Sequence, residues 1–184
     1  MRLLPAATLA LAIALGAAGP AAASTVPRVD FSRGQTMVSF GLLDFNVDHA
    51  ISEHVALGAS FASLGNWAAA ARVTVRTGGD PEGHSWGWTA SAGPGYFPFY
   101  PSSHYGVWAQ LAATASHRVA GTNLFFRGTA GPVLTALFNP YGQEVAVIPY
   151  LFPVWFNWEF AYRFSPTSEL TFLGPNLVGY RGTF

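Results

Sequence analysis

The chain has no cysteine, no lysine and few charges of either sign. Without cysteine it can hold no disulfide framework, no thiolate metal site and no cysteine-borne lipid anchor. Its nine basic residues are all arginines, and nine Asp and Glu balance them, so the footprint of a nucleic-acid-binding protein is missing. Only 10% of residues are charged while 51% are hydrophobic; a soluble domain usually carries about a quarter charged residues. Long apolar runs are also scarce. After residue 24 nothing approaches the ~20 apolar residues of a membrane helix, and the nearest stretch, Val145–Phe156, is broken by Pro149 and Pro153. A greasy chain without helical spans points to the other structure that satisfies its own backbone in lipid, the closed β-barrel.

The first 23 residues read as a secretory signal peptide. Arg2 is the charged start, Leu3–Leu15 the apolar core, and Ala21-Ala22-Ala23 a small-residue cleavage site. Cleavage is expected after Ala23, with Ser24 the alternative, leaving residues 24–184 as one domain. Thr25–Gln35 is then expected to be a polar lead-in on the periplasmic side.

From Thr36 onward the chain alternates between bulky apolar and small or polar residues, the period of a strand with two unlike faces. Leu43, Phe45 and Val47 interleave with Asp44, Asn46 and Asp48. Trp67, Ala69, Ala71, Val73 and Val75 interleave with Arg72, Thr74 and Arg76. Later runs repeat the pattern: Trp86 and Trp88 around Gly87, Tyr105–Leu111 around Trp108 and Gln110, and, strongest, Ile148–Phe164 with Asn157, Glu159 and Arg163 on the other face. Turn signals separate the runs at Ile51–Glu53, Gly65-Asn66, Gly78–Pro81, Pro98–Ser103, His117–Asn123, Asn139–Gln143 and Ser165–Ser168. This spacing predicts an all-β, antiparallel, up-and-down transmembrane barrel of eight strands, each near the ~9–11 residues a tilted crossing needs. Ten strands is the alternative, because Val145–Phe164 is long for one crossing and Gly174-Pro175-Asn176 could form a hairpin.

A soluble sandwich or lipocalin-type barrel would turn its greasy face inward. Here the other face is mostly Gly, Ala, Ser and Thr, too small to coat a soluble exterior but suited to a narrow lumen. Aromatics also gather near strand ends, as interfacial girdles do: Trp86, Trp88, Tyr96, Phe97, Tyr100 and Tyr105, then Phe138, Tyr141, Trp158, Tyr162, Tyr180 and Phe184.

The chain ends in Val178-Gly179-Tyr180-Arg181-Gly182-Thr183-Phe184. With its signal peptide and alternating strands, this ending resembles the small outer-membrane β-barrel family of diderm bacteria. Members of that family usually finish with a glycine five residues before a terminal aromatic, a signal read by the barrel assembly machinery. Gly179 and Phe184 match it, and Tyr180 and Val178 keep the outward face. Gly182 departs from it, standing where a bulky residue is expected, as does Leu177, where a polar one is. The resemblance implies outer-membrane lipid and the assembly machinery as partners.

Parity places Arg72, Arg76, Arg127, Arg163 and Arg181 on the inner face with Asp44, Asp48, Glu159, Gln110 and Asn157. Charges confined to a narrow interior are expected to form a hydrogen-bonded network of ion pairs. Such a network plugs a structural barrel of membrane-integrity type. The alternative is a narrow pore, which five arginines against two or three acids would bias towards anions. His49, His54, His84, His104 and His117 all sit at strand ends and read as polar residues at the water boundary, so no metal or other cofactor is expected. Rim groupings such as His104 with Ser102 and Ser103, or His54 with Ser52 and Glu53, could be assembled into the site of a lipid A acyl-modifying enzyme, but none forms a distinctive motif. The connections are too short for a receptor or adhesin. A secreted soluble barrel binding an apolar ligand is the reading from a different class.

Overall fold

The computed structural model describes residues 26–42, 44–63, 67–97, 104–138, 145–172 and 178–184. They form ten antiparallel strands: β1 (Thr36–Gly41), β2 (Asp44–Ala50), β3 (Val55–Ser63), β4 (Trp67–Gly79), β5 (His84–Phe97), β6 (His104–Arg118), β7 (Leu124–Phe138), β8 (Val145–Ser165), β9 (Ser168–Phe172) and β10 (Val178–Thr183). Each strand pairs with its neighbours in sequence, and β1 pairs with β10 to close the barrel. The seam is finished by Thr36 and Phe184, which exchange two backbone hydrogen bonds of 2.8 Å. No described helix is long and apolar enough to cross a membrane.

The barrel thus has ten strands, the stated alternative, and not the eight expected first. One added strand comes from β9 and β10, which pair as a hairpin from Phe172 opposite Val178 to Ser168 opposite Gly182. The other comes from a turn after Gly41 that carries no Gly-Asn or Pro-Gly signal. Its trace is a phase change: Phe40 is exposed on even parity, and Phe45 on odd parity, with the two paired across β1 and β2. The long β8 does not split. It absorbs its extra length in a register shift, where Gly131 faces Trp155 but Val133 faces Tyr150. The expected signal peptide over 1–23, the turn signals at 65–66, 98–103 and 139–143, and the 174–176 hairpin tip with Leu177 lie outside the described residues.

The start of β1, the end of β10 and the turns at 51–54, 80–83, 119–123 and 166–167 share one end of the barrel. The wall is uneven in height. Strands β4 to β8 run 13 to 21 residues, whereas β1, β2, β9 and β10 run 5 to 7. Alternation holds across the tall part, with β4 reading exposed, buried, exposed, buried along Trp67–Val73 except at half-buried Ala69. Leu57, Phe61, Val73, Trp86, Trp88, Leu111, Leu134, Phe156 and Tyr162 are exposed on the outside. The inside carries Arg, Asp, Glu, Asn, Ser and Thr together with alanines and Trp108.

Candidate functional site: a charged lumen closed by the N-terminal segment

The segment before β1 is not a lead-in lying outside the barrel. Val26, Pro27, Arg28, Val29, Asp30 and Phe31 are all buried, because they lie inside the lumen near the end where β1 begins, against the inward arginines of the wall. Within the expected lead-in Thr25–Gln35 this corrects Val26–Phe31; Ser32–Gln35 are half-buried or exposed, and Thr25 lies outside the described residues. The reason is local chemistry. Val26, Val29 and Phe31 would be costly in water, and Arg28 and Asp30 find opposite charges waiting on the wall.

Asp30 is the hub. Its Oδ2 accepts from Arg127 Nη2 at 2.8 Å and from Arg163 Nη2 at 3.2 Å, and Arg28 of the same segment donates to both of its carboxylate oxygens. Two further wall arginines hold the segment's backbone: Arg181 donates to the Val26 carbonyl at 3.1 Å and Arg76 to that of Phe31 at 3.1 Å. Arg28 also donates to Thr183 Oγ1 on β10.

Around this contact the wall supplies its own pairs. Arg127 is completely buried and forms a two-pronged bridge to Glu169, at 2.8 and 3.1 Å, with a third carboxylate, Glu159, at 3.4 Å. Arg181 donates to Glu159 at 3.0 Å, and Arg163 joins Glu169 inside to Glu82 at the rim, both at 3.0 Å. The Phe125 ring lies under three cations, with Arg163 Cζ 4.3 Å, Arg127 Cζ 5.3 Å and Arg118 Cζ 6.0 Å from its centroid. Four arginines (28, 127, 163, 181) thus meet four carboxylates (30, 82, 159, 169). Asp30 itself lies outside the strands. Burial, the largest single influence on it, raises its pKa, but the charges of Arg127 and Arg28 together hold the carboxyl net below its ordinary value.

A second, separate group lies on the β2–β4 wall. Arg72 forms a two-pronged bridge to Asp48 and donates to Asn46 Oδ1 at 3.4 Å, while Asn46 donates to Asp44 at 3.2 Å. Between the groups runs a belt of hydroxyls on four consecutive strands: Thr74 to Thr89 at 3.2 Å, Thr89 to Thr114 at 3.2 Å, and Thr114 to Thr129 at 3.0 Å. Asn157 continues the row opposite Thr129 and is buried.

No family model matches this chain, nor does any curated protein or solved structure. The site therefore stands on its own geometry.

The ten residues marked by parity fall into different places. Arg127, Glu159, Arg163 and Arg181 belong to the cluster around Asp30, and Asp44, Asp48 and Arg72 to the group on β2 to β4. Arg76 holds the Phe31 carbonyl and lies 3.7 Å from Glu53. Gln110 faces inward but its Nε2 has no hydrogen-bonding partner, as is also true of Trp108 Nε1. Three central residues are missing from that set: Arg28, Asp30 and Glu169. Glu169 carries a usable signal, since it shares parity with Thr171 and stands directly opposite Arg181. Arg28 and Asp30 carry none, because nothing in a short segment ahead of the first strand says that it turns inward.

Of the assembly residues, Val178, Tyr180 and Phe184 are exposed and Gly179 is buried at the seam. A Cβ on Gly179 would come within 2.9 Å of the Phe40 carbonyl. Gly182 lies beneath the terminal ring, where a Cβ would meet Phe184 at 3.1 Å. The terminal phenylalanine thus covers the place where a bulkier residue is expected. Among the described residues no three His, Cys, Asp or Glu side chains converge as metal ligands would.

Proposed function

We propose that this chain is a small integral outer-membrane barrel, exported by residues 1–23 and stoppered by the segment Val26–Phe31, with a structural, membrane-integrity role. The observation that carries this reading is the polarity of the wall. Among the described residues, large apolar side chains are exposed on each of β3 to β8, while a network of ion pairs is buried at the centre. That arrangement is costly in water and favourable in hydrocarbon. It counts equally against a secreted barrel carrying an apolar ligand inside.

The stopper favours a closed wall over a conduit. It also weakens the case for an anion-leaning pore: with Arg28, Asp30 and Glu169 added, six inward arginines (28, 72, 76, 127, 163, 181) face five inward carboxylates (30, 44, 48, 159, 169). The excess of positive charge falls to one, before the rim acids Glu53 and Glu82 are counted. A catalytic role finds little support at the described rim. Ser52 Oγ accepts the backbone N–H groups of His54 and Val55, a turn-forming task, and Glu53 reaches towards Arg33 and Arg76. Ser102 and Ser103 lie outside the described residues. In this reading the barrel assembly machinery engages β10 through Val178, Tyr180 and Phe184, which lie exposed beside the closing seam. The bilayer must thin along the low flank of β9, β10, β1 and β2, whose strands fall short of a full crossing.

The test is to refold the chain without residues 1–23 in detergent and then in vesicles. A folded barrel should migrate differently before and after boiling on a gel, float with the vesicles, and give no conductance steps in a planar bilayer. A mature chain that stays soluble and monomeric without detergent would overturn the membrane reading. Steady conductance of the intact barrel would overturn the stopper.

A further inference from the structure

On the outer wall of β5 to β8 the greasy coat gives way to a patch of small residues near the turns at 80–83 and 119–123. Register sets four small residues there in a square, Ala113 opposite Ala130 and Ala115 opposite Gly128. On one side stand Trp86 and Trp88, the cross-strand partners of Ala115 and Ala113; on the other stand Phe156 and Trp158, the partners of Ala130 and Gly128. The result is a groove of about 460 Å3. It ends, towards the turns at 80–83 and 119–123, at His84 and His117, which face each other across β5 and β6 with their Nδ1 atoms 3.2 Å apart.

The groove is not forced by crowding. A Cβ built on Gly128 meets nothing nearer than Phe156 at 3.6 Å, whereas one on Gly87, Gly93 or Gly131 would strike backbone oxygen at 2.0, 1.9 and 2.1 Å. The lumen-facing glycines are there because nothing larger fits. Gly128 could carry a side chain and does not. The Trp86 indole, which could have covered Ala115, lies back over Gly78 of β4 instead.

We propose that this groove holds a glycerophospholipid, with an acyl chain along the Ala-Gly floor and the phosphodiester on the two imidazoles. The proposal rests on the membrane reading and names one lipid class for one stretch of its surface. The floor from Ala113 to His117 is about 13 Å long at ~3.3 Å per residue, enough to seat a good part of an extended chain. The histidines supply what a bare hydrocarbon wall lacks. When two imidazoles share one Nδ1–H, the ring that accepts carries its own hydrogen on Nε2 and donates outward, and a proton added to the pair gives both rings outward donors. An anionic phosphodiester at that spot accepts these donors while its chain lies against alanine and indole. The polar end of the groove lies at the end where β1 begins and β10 finishes, which is the periplasmic, phospholipid side of the barrel in this reading.

The test is native mass spectrometry of the refolded barrel after exposure to palmitoyl-oleoyl phosphatidylglycerol, with the matching diacylglycerol as a control lacking phosphate. The heat-dependent gel shift is recorded first, without lipid. Its absence would refute the membrane reading and this proposal with it. For a folded barrel, one phosphatidylglycerol should be retained, with diacylglycerol held roughly tenfold more weakly, the equivalent of one hydrogen bond to a charged group. Gly128→Leu should fold, keep its gel shift and lose the lipid. Replacing His84 and His117 together by Ala should leave both lipids weakly and equally bound. Retention of phosphatidylglycerol by Gly128→Leu, or equal retention of the two lipids by the unaltered protein, would overturn the phospholipid site and leave the barrel reading intact.

Discussion

Asp30 and Arg127 are 97 residues apart in the chain and 2.8 Å apart inside the barrel, and both are buried. This pair fixes the stopper to the wall, because the same carboxylate also receives Arg163 and Arg28. Asp30→Asn keeps the shape and removes the charge, leaving three guanidinium groups short of one anion. Breaking a buried pair from one side costs about 3–5 kcal/mol. The urea midpoint of the refolded barrel should fall accordingly, and an unchanged midpoint would mean that the segment contributes nothing to holding the cluster.

If Val26–Phe31 closes the lumen, removing it should open a path. A barrel beginning at Ser32 should still show a heat-dependent gel shift, since its strands pair with each other and not with the stopper. It should also give conductance steps in planar bilayers where the intact protein gives none. A shortened barrel that folds and stays silent would show that the wall residues close the lumen by themselves.

The stopper should also release in acid, and the sign is set by Asp30. Its carboxyl is held below the ordinary value of 3.8, so the stabilisation is complete above that value and is lost as pH falls through the lowered one. Conductance of the intact barrel should stay absent from neutral pH down to about 4 and appear only at lower pH. Opening at a mildly acidic pH, about 5 to 7, would assign the latch to some group other than Asp30.

How much of this could be read in the sequence depended on whether a residue's place is set by period or by topology. The inward positions of Arg72, Arg127, Glu159 and Arg181 follow from two-residue alternation alone, since a strand cannot put neighbours on the same face. The β1–β2 turn is also present, but as a phase change between Phe40 and Phe45 instead of a turn residue, and phase is easily read through. The stopper is not legible. Val26–Phe31 is a short segment with no partner strand, and only the closed barrel creates the interior it enters. The His84–His117 pair needs the register of β5 on β6, which no motif announces.

The hydroxyl belt gives a quieter test. Thr114 is its central link, bonded to Thr89 on one side and Thr129 on the other. Thr114→Val keeps the volume and breaks both bonds. At about 1 kcal/mol each, the barrel should lose about 2 kcal/mol. Thr89→Val in the same background should then cost less than it does alone, because part of its network has already gone. Full additivity of the two substitutions would mean that the belt is a row of independent hydroxyls.

Two glycines, one on β5 and one on β7, separate the crowded lumen from the open outer wall. At Gly93 an added Cβ would lie 1.9 Å from the Ala69 carbonyl oxygen of β4, and that oxygen is fixed by the sheet. Strand β5 would have to move away from β4, and Gly93→Ala should cost at least the ~1–3 kcal/mol typical of overpacking, with loss of the heat-resistant form during refolding. At Gly128 the nearest atom is 3.6 Å away, an ordinary contact. Gly128→Ala should therefore sit within about 0.5 kcal/mol of the unaltered protein and refold as well. The same chemical change thus has opposite consequences on the two faces of the wall. If both substitutions were harmless, the lumen would be wider than its side chains require; if both were damaging, the small floor between Trp86 and Phe156 would be a packing necessity and not a groove.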